Sequence, residues 1–126
     1  MVSSRSTVVV IDDEPDVVVT LLALLRDAGH DAEGFMSGRA GLEGIGRLDP
    51  DVVICDIAMP LPNGWDIARE VRSRKGDNAP LMIAISGKYT NAADRILAQM
   101  TGFNHYLPKP CDPNALMALV QEARSK

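Results

Sequence analysis

The stretch Thr7–Glu14, TVVVIDDE, holds the two features that decide the fold. Its first five residues are a continuous run rich in β-branched side chains, and runs that do not alternate are typical of parallel strands buried on both faces. The run then ends in three acidic residues. Similar runs follow at Val52–Cys55 and Leu81–Ile85, with a shorter one at Tyr106–Leu107. The sequence therefore predicts buried parallel strands that end in polar residues.

Segments of helical length alternate with these runs. Proline, serine, asparagine or aspartate marks their starts, and Gly29 stops the first one. A weaker strand, Asp31–Phe35, follows that stop. The second helix carries four glycines, each unfavourable by about 1 kcal/mol relative to alanine. The predicted helices span Asp16–Ala28, Ser37–Leu48, Asn63–Ser73, Asn91–Met100 and Pro113–Ala123.

Strand and helix thus alternate five times, which predicts one α/β domain over residues 1–126 with a doubly wound parallel sheet. Small polar residues dominate Ser3–Ser6, and we expect residues 1–6 to be a flexible lead-in. Ligands of such sheets bind beyond the carboxyl ends of the strands. The functional residues should therefore lie at that edge.

The composition excludes several function classes. The 126 residues are 46% hydrophobic and 24% charged, as in ordinary globular domains. A net charge of −4 argues against direct binding to nucleic acid or to an anionic membrane surface. Neither a secretory signal nor a run long enough to cross a bilayer is present in the sequence, so we expect a cytoplasmic protein. Cys55 and Cys111 have no metal-ligand spacing and are predicted to be reduced thiols.

Each strong run ends in a residue capable of chemistry. Asp12 and Asp13 follow the first strand, Asp56 the third, Ser86 the fourth and Lys109 the fifth. Clustered carboxylates repel unless a cation lies among them, and Mg²⁺ prefers such oxygen ligands. An aspartate can attack phosphorus to form an acyl phosphate, while a hydroxyl and an ammonium hold the phosphoryl oxygens. This edge is therefore predicted to be a site for phosphoryl chemistry.

Short motifs stand at or near the strand ends: Asp12-Asp13, Asp56, Met59-Pro60, Asn63-Gly64, Ser86-Gly87 and Lys109-Pro110. In order and spacing they resemble the CheY-like response-regulator receiver family of two-component signalling, over essentially the whole chain. The resemblance implies a flavodoxin-like fold with five strands in the order 2-1-3-4-5 and five helices. It also implies a cis peptide bond between Lys109 and Pro110.

The resemblance implies a role for each residue of the acidic site. Asp56 is the expected phosphoacceptor. Asp13 is the expected direct ligand of Mg²⁺, and Asp12 is expected to act largely through water. Asp56 and the backbone carbonyl of Ala58 would complete the protein's share of the metal site.

The resemblance also implies a switch. Ser86 would bind a phosphoryl oxygen and Lys109 would form a salt bridge to the phosphoryl group. Tyr106 would change rotamer with that movement, and Ala58 and Lys88 would tune the lifetime of the phosphorylated state.

The function implied is a phosphorylation switch that catalyses its own phosphorylation and slow dephosphorylation. The donor would be a phosphohistidine on a sensor histidine kinase or a histidine phosphotransfer protein, and the downstream protein target is unknown. One alternative is a pseudo-receiver that acts only by binding partners. Another is a receiver cut from a hybrid sensor kinase, because Gly102–Pro113 resembles the corresponding segment of receivers attached to such kinases. A phosphatase-like hydrolase is disfavoured, because Ala58 stands where a second acid is needed.

Four other residues have open roles. Glu14 can belong to the acidic pocket or simply favour the start of a helix. Trp65 is expected to be a partly buried anchor, and Val19 an exposed apolar residue. His105 lies near the site but has no obvious partner in the sequence.

Overall fold

Strands and helices alternate in the computed structural model, which describes residues 5–87 and 91–124. The strands are β1 Thr7–Ile11, β2 Asp31–Phe35, β3 Val52–Asp56, β4 Leu81–Ser86 and β5 His105–Pro108. The helices are α1 Pro15–Asp27, α2 Gly38–Leu48, α3 Gly64–Lys75, α4 Ala92–Thr101 and α5 Pro113–Arg124, with a 3₁₀ turn at Gly76–Asn78. The predicted elements are confirmed, with ends that differ by one or two residues. Among the helices described, none has both the length and the apolar character needed to cross a membrane.

The five strands form one parallel sheet in the order β2-β1-β3-β4-β5. The doubly wound fold and the strand order implied by the resemblance are both confirmed. β5 is an edge strand, with Pro108 opposite Ser86 of β4. A proline is tolerated there because an edge strand has one side without a ladder partner.

The core consists of two apolar layers, one on each face of the sheet. Successive residues of a strand point to opposite faces, so Val9 and Ile11 join one layer while Val8 and Val10 join the other. The first layer is completed by α2, α3 and α4, and the second by α1 and α5. This double burial explains why the strands read as continuous apolar runs.

The glycine-rich helix α2 forms because it packs very close to the sheet. A Cβ added to Gly41 would lie 2.4 Å from Cδ1 of Ile11, and one added to Gly44 would lie 2.3 Å from Cζ of Phe35. The Ser37 side chain caps the helix by accepting a hydrogen bond from the backbone N–H of Ala40 at 3.1 Å. Close packing and a cap therefore outweigh the low helix propensity of the glycines.

The two residues before β1 contact the start of β2 and the residue that precedes it. Ser6 is buried, and its backbone N–H donates to Nδ1 of His30 at 2.9 Å. Arg5 forms an ion pair with Asp31 at 2.7 Å. These contacts arise because the start of β2 lies beside Arg5 and Ser6. Residues 1–4 lie outside the part of the chain that the structure describes, and the flexibility of the lead-in stays a prediction.

Candidate functional site

The carboxyl ends of the strands bring the predicted site residues to one edge of the sheet. Asp12 directly follows β1, Asp56 and Ser86 are the last residues of β3 and β4, and Lys109 directly follows β5. Asp12, Asp56 and Ser86 are buried, and Lys109 is mostly buried. The parallel topology thus places residues from distant parts of the chain side by side.

Three carboxylates form a cluster at this edge. Asp12, Asp13 and Asp56 each offer an oxygen, and these oxygens all lie within 4.8 Å of one another. The backbone fixes the two buried members, because Oδ1 of Asp12 accepts from the N–H of Glu14 at 2.9 Å and Oδ1 of Asp56 accepts from the N–H of Ala58 at 3.2 Å. Asp13 is exposed. Two oxygens are therefore held rigidly and a third faces solvent.

Lys109 joins the cluster through its ammonium group. Its Nζ lies 2.9 Å from Oδ2 of Asp12, 3.0 Å from Oε1 of Glu14 and 3.2 Å from Oδ2 of Asp56. Burial lowers the pKa of this ammonium, but hydrogen bonds to Asp12 and Glu14 and the charge of Asp56 outweigh burial, so the pKa is raised above its usual value. Lys109 is therefore a permanent positive charge in the site.

The carboxylates still repel one another despite the positive charge of Lys109. Burial raises the pKa of Asp12, and the charge of Asp56 adds to the increase, although Lys109 and the backbone N–H of Glu14 oppose it. A further cation would relieve this repulsion. The donor set consists of carboxylate oxygens, the ligands that Mg²⁺ prefers. The residues present therefore fit a hard divalent ion.

Ser86 and Tyr106 lie together beside the acidic cluster. Ser86 is fully buried, and the Tyr106 hydroxyl oxygen is also buried, although the Tyr106 side chain as a whole is only half-buried. Burial raises the pKa of Tyr106, and the neighbouring Ser86 side chain opposes the increase. Within the described part of the chain the Tyr106 hydroxyl has no hydrogen-bond partner. The guanidinium of Arg95 on α4 lies 5.8 Å from the centre of the Tyr106 ring. Tyr106 thus connects the end of β4 to α4.

Some expectations from the sequence need revision here. His105 has a partner after all, since its Nε2 lies 3.0 Å from Oε2 of Glu122 on α5. Glu14, whose role was open, belongs to the site through Lys109. Both pairs join residues far apart in sequence, so no local pattern reveals them. Lys88, expected beside the pocket, lies outside the described residues.

Other expectations are confirmed. Trp65 is half-buried and packs against the apolar layer formed with α2, α3 and α4, and Val19 is exposed. The Lys109-Pro110 peptide bond is cis, and so is Leu61-Pro62, which was not anticipated. Ala58 contacts Asp56 through its N–H, and the metal role of its carbonyl stays a prediction.

The sequence and the fold of this chain are similar to those of known proteins. Residues 8–121 match the family model described as the response regulator receiver domain. An uncharacterized 14.6 kDa protein of Leptolyngbya boryana is 35% identical over 120 residues, which are 94% of this chain and 90% of that protein. The DNA-binding response regulator MtrA of Mycolicibacterium smegmatis is 31% identical over 96% of this chain, but the match spans only 51% of MtrA.

A solved structure agrees with these sequence matches. A putative response regulator from Chloroflexus aurantiacus has a TM-score of 0.87 and 26% identity, with 97% of this chain and 99% of that chain covered. The family model spans most of the chain, and the fold and the order of the motifs agree with it. The chain therefore belongs to the response-regulator receiver family of two-component signalling.

Proposed function

We propose that the Asp56 carboxylate accepts a phosphoryl group from a phosphohistidine on a sensor histidine kinase or a histidine phosphotransfer protein. The observation that carries this proposal is the contact of Lys109 Nζ with Oδ2 of Asp56 at 3.2 Å inside a cluster of carboxylates. This arrangement suits an aspartate that must gain a still larger negative charge, because a cation already lies beside it.

The transfer exchanges one bond for another. An oxygen of Asp56 forms a bond to phosphorus while the bond from phosphorus to the imidazole nitrogen of the donor breaks. The nitrogen keeps the electron pair of that bond and takes up a proton, and Asp56 becomes an acyl phosphate. Lys109 neutralises charge on the transferred oxygens throughout.

Mg²⁺ is the cofactor of the proposed reaction. Asp12, Asp13, Asp56 and the Ala58 carbonyl would hold it. When bound, the ion neutralises the carboxylates and the phosphoryl oxygens. Asp12 and Asp56 are suited to this role because the backbone holds one oxygen of each in place.

After transfer, the new negative charge shifts the domain between two conformations. The buried Ser86 hydroxyl donates to a phosphoryl oxygen, and Tyr106 follows because the two side chains lie together. We place this switch in the cytoplasm. We assign its signal to a protein target, because the net charge of −4 does not favour direct contact with DNA.

Acetyl phosphate with Mg²⁺ tests the proposal without a partner kinase. Wild-type protein should gain the mass of one phosphoryl group, and Asp56→Asn should gain none. Asp27→Asn is the matched control, because Asp27 is an exposed carboxylate at the far end of α1, and it should behave as wild type. Chelation of the metal should abolish the gain.

Two results would contradict the proposal. A mass gain that persists in Asp56→Asn would move the acceptor elsewhere. Wild-type protein that gains nothing under any of these conditions would instead favour an interaction module that works without phosphorylation.

A further inference from the structure

Lys109 contacts three carboxylates at once in this structure. A lysine ammonium has three N–H donors, and three carboxylates, those of Asp12, Glu14 and Asp56, lie within 3.2 Å of Nζ. If Asp56 carries a phosphoryl group, the new oxygens compete with these three partners for the ammonium of Lys109. The identity of the released partner therefore matters for the switch.

The three carboxylates differ in how easily they can leave. The Asp12 side chain is 0% exposed, and the Asp56 side chain is 3% exposed. A buried carboxylate that loses its cation is left without compensation, which is strongly unfavourable. The Glu14 side chain is 63% exposed, so water can solvate its carboxylate as soon as it separates from Lys109. Glu14 is thus the partner that leaves most easily.

Glu14 also has no competing structural task for its side chain. It is the N-cap residue of α1, but its side chain makes no capping hydrogen bond and instead reaches Lys109. Its backbone is held separately, through the N–H bond to Oδ1 of Asp12 at 2.9 Å. The side chain can therefore move away without disturbing the start of the helix.

We propose that Glu14 is a positioning residue that holds Lys109 in the resting state and is exchanged for the phosphoryl group on Asp56. This inference rests on the proposed function and adds a regulatory step to it. Glu14 competes with the phosphoryl oxygens for the same ammonium, so it slows phosphorylation and shortens the phosphorylated state.

The test uses three variants of the full chain with acetyl phosphate and Mg²⁺. Glu14→Gln removes the charge and should raise the phosphorylation rate and the phosphoryl lifetime, together by about two- to fivefold, the range that an exposed ion pair allows. Asp16→Asn makes the same charge change in the first turn of α1, away from Lys109, and should match wild type. High salt should shrink the difference between Glu14→Gln and wild type.

Glu14→Asp separates contact from charge. It keeps the negative charge, but its side chain is one methylene shorter and aspartate readily caps a helix. We expect the shorter side chain to lose its contact with Lys109, so Glu14→Asp should behave as Glu14→Gln. If Glu14→Asp matches wild type, charge alone acts and the exchange is wrong.

A readout without phosphorylation tests the contact itself. The chain has four lysines, so the ammonium nitrogen resonances can be assigned by substitution. Glu14→Gln should shift the Lys109 resonance in the phosphoryl-free protein, and Asp16→Asn should leave it in place. An unshifted resonance in Glu14→Gln would overturn the inference.

The two proposals fail in different ways. Wild-type protein that takes no phosphoryl group overturns the proposed function, and the exchange with it. Wild-type protein that is phosphorylated and dephosphorylated at the same rates as Glu14→Gln overturns only the role of Glu14.

Discussion

The Nζ of Lys109 lies 2.9 Å from Oδ2 of Asp12, a carboxylate whose side chain is fully buried. Burial of a charge is tolerated only with a partner, so this one ammonium offsets much of the repulsion within the acidic edge. The same residue therefore contributes both to the chemistry of the site and to the stability of the fold.

Replacement of Lys109 should destabilise the protein measurably. In metal-free buffer, Lys109→Met should lower the free energy of unfolding by about 2–3 kcal/mol, near the lower end for a broken buried ion pair. Lys75→Met is the matched control, because Lys75 pairs with the exposed Asp49 and such pairs contribute about 0–1 kcal/mol. Urea denaturation measures both. Equal losses in the two variants would show that Lys109 has no special structural role.

Gly64, the first residue of α3, should not accept a side chain. A Cβ there would lie 2.6 Å from Cα of Ile57 and 2.7 Å from the backbone oxygen of Asp56, and backbone atoms cannot turn away as side chains do. Gly64→Ala should lower the free energy of unfolding by about 1–3 kcal/mol and should also slow phosphorylation, since Asp56 must shift.

Gly46 supplies the control for this prediction. It lies in α2 with nothing within 4 Å of an added Cβ. Gly46→Ala should therefore raise the free energy of unfolding, by up to about 1 kcal/mol, through helix propensity alone. Chemical denaturation of both variants checks the pair, and the prediction fails if they change stability in the same direction.

His30 should make stability depend on pH. Burial lowers the pKa of His30 below its usual 6.5, and its Nδ1 accepts the Ser6 N–H. Because the unfolded chain then binds the proton more readily, stability is complete above about pH 6.5 and falls as the pH decreases toward the folded pKa, by at most about 1.4 kcal/mol per pH unit. Arg26, Asp31 and Glu33 line a surface cavity together with His30.

A histidine replacement isolates this contribution. The Oδ1 of asparagine stands near the position of Nδ1 and can accept the same N–H, so His30→Asn keeps the hydrogen bond without the titration. Urea denaturation between about pH 7.5 and about pH 5.5 should show a smaller loss of stability for His30→Asn than for wild type. Identical pH profiles would refute the assignment to His30.

Much of the fold was predictable because local and global signals agree. The β-branched runs around Val9 and Ile54 predict buried strands, and the structure has buried strands there. The polar residues after these strands lie at one edge of the sheet, as the parallel topology requires. The helix α2 was less predictable. Its glycines are explained only by the close approach to Ile11 and Phe35, which depends on packing between distant elements.

The site was predictable in its members but not in all its contacts. Asp12, Asp13, Asp56, Ser86 and Lys109 each end or follow a strand, which the sequence displays directly. The hydrogen bond between Lys109 and Glu14 joins residues 95 positions apart, and the pair of His105 with Glu122 joins β5 to α5. Such contacts have no periodicity and become visible only in three dimensions.

The proline in edge strand β5 has a consequence for solubility. An exposed strand edge is a template onto which another chain can add a strand, and proteins limit this hazard with short edge strands and prolines. The strand His105–Pro108 has both, with only four residues and a proline as its last member. Copies of this domain are therefore disfavoured from joining their sheets through β5.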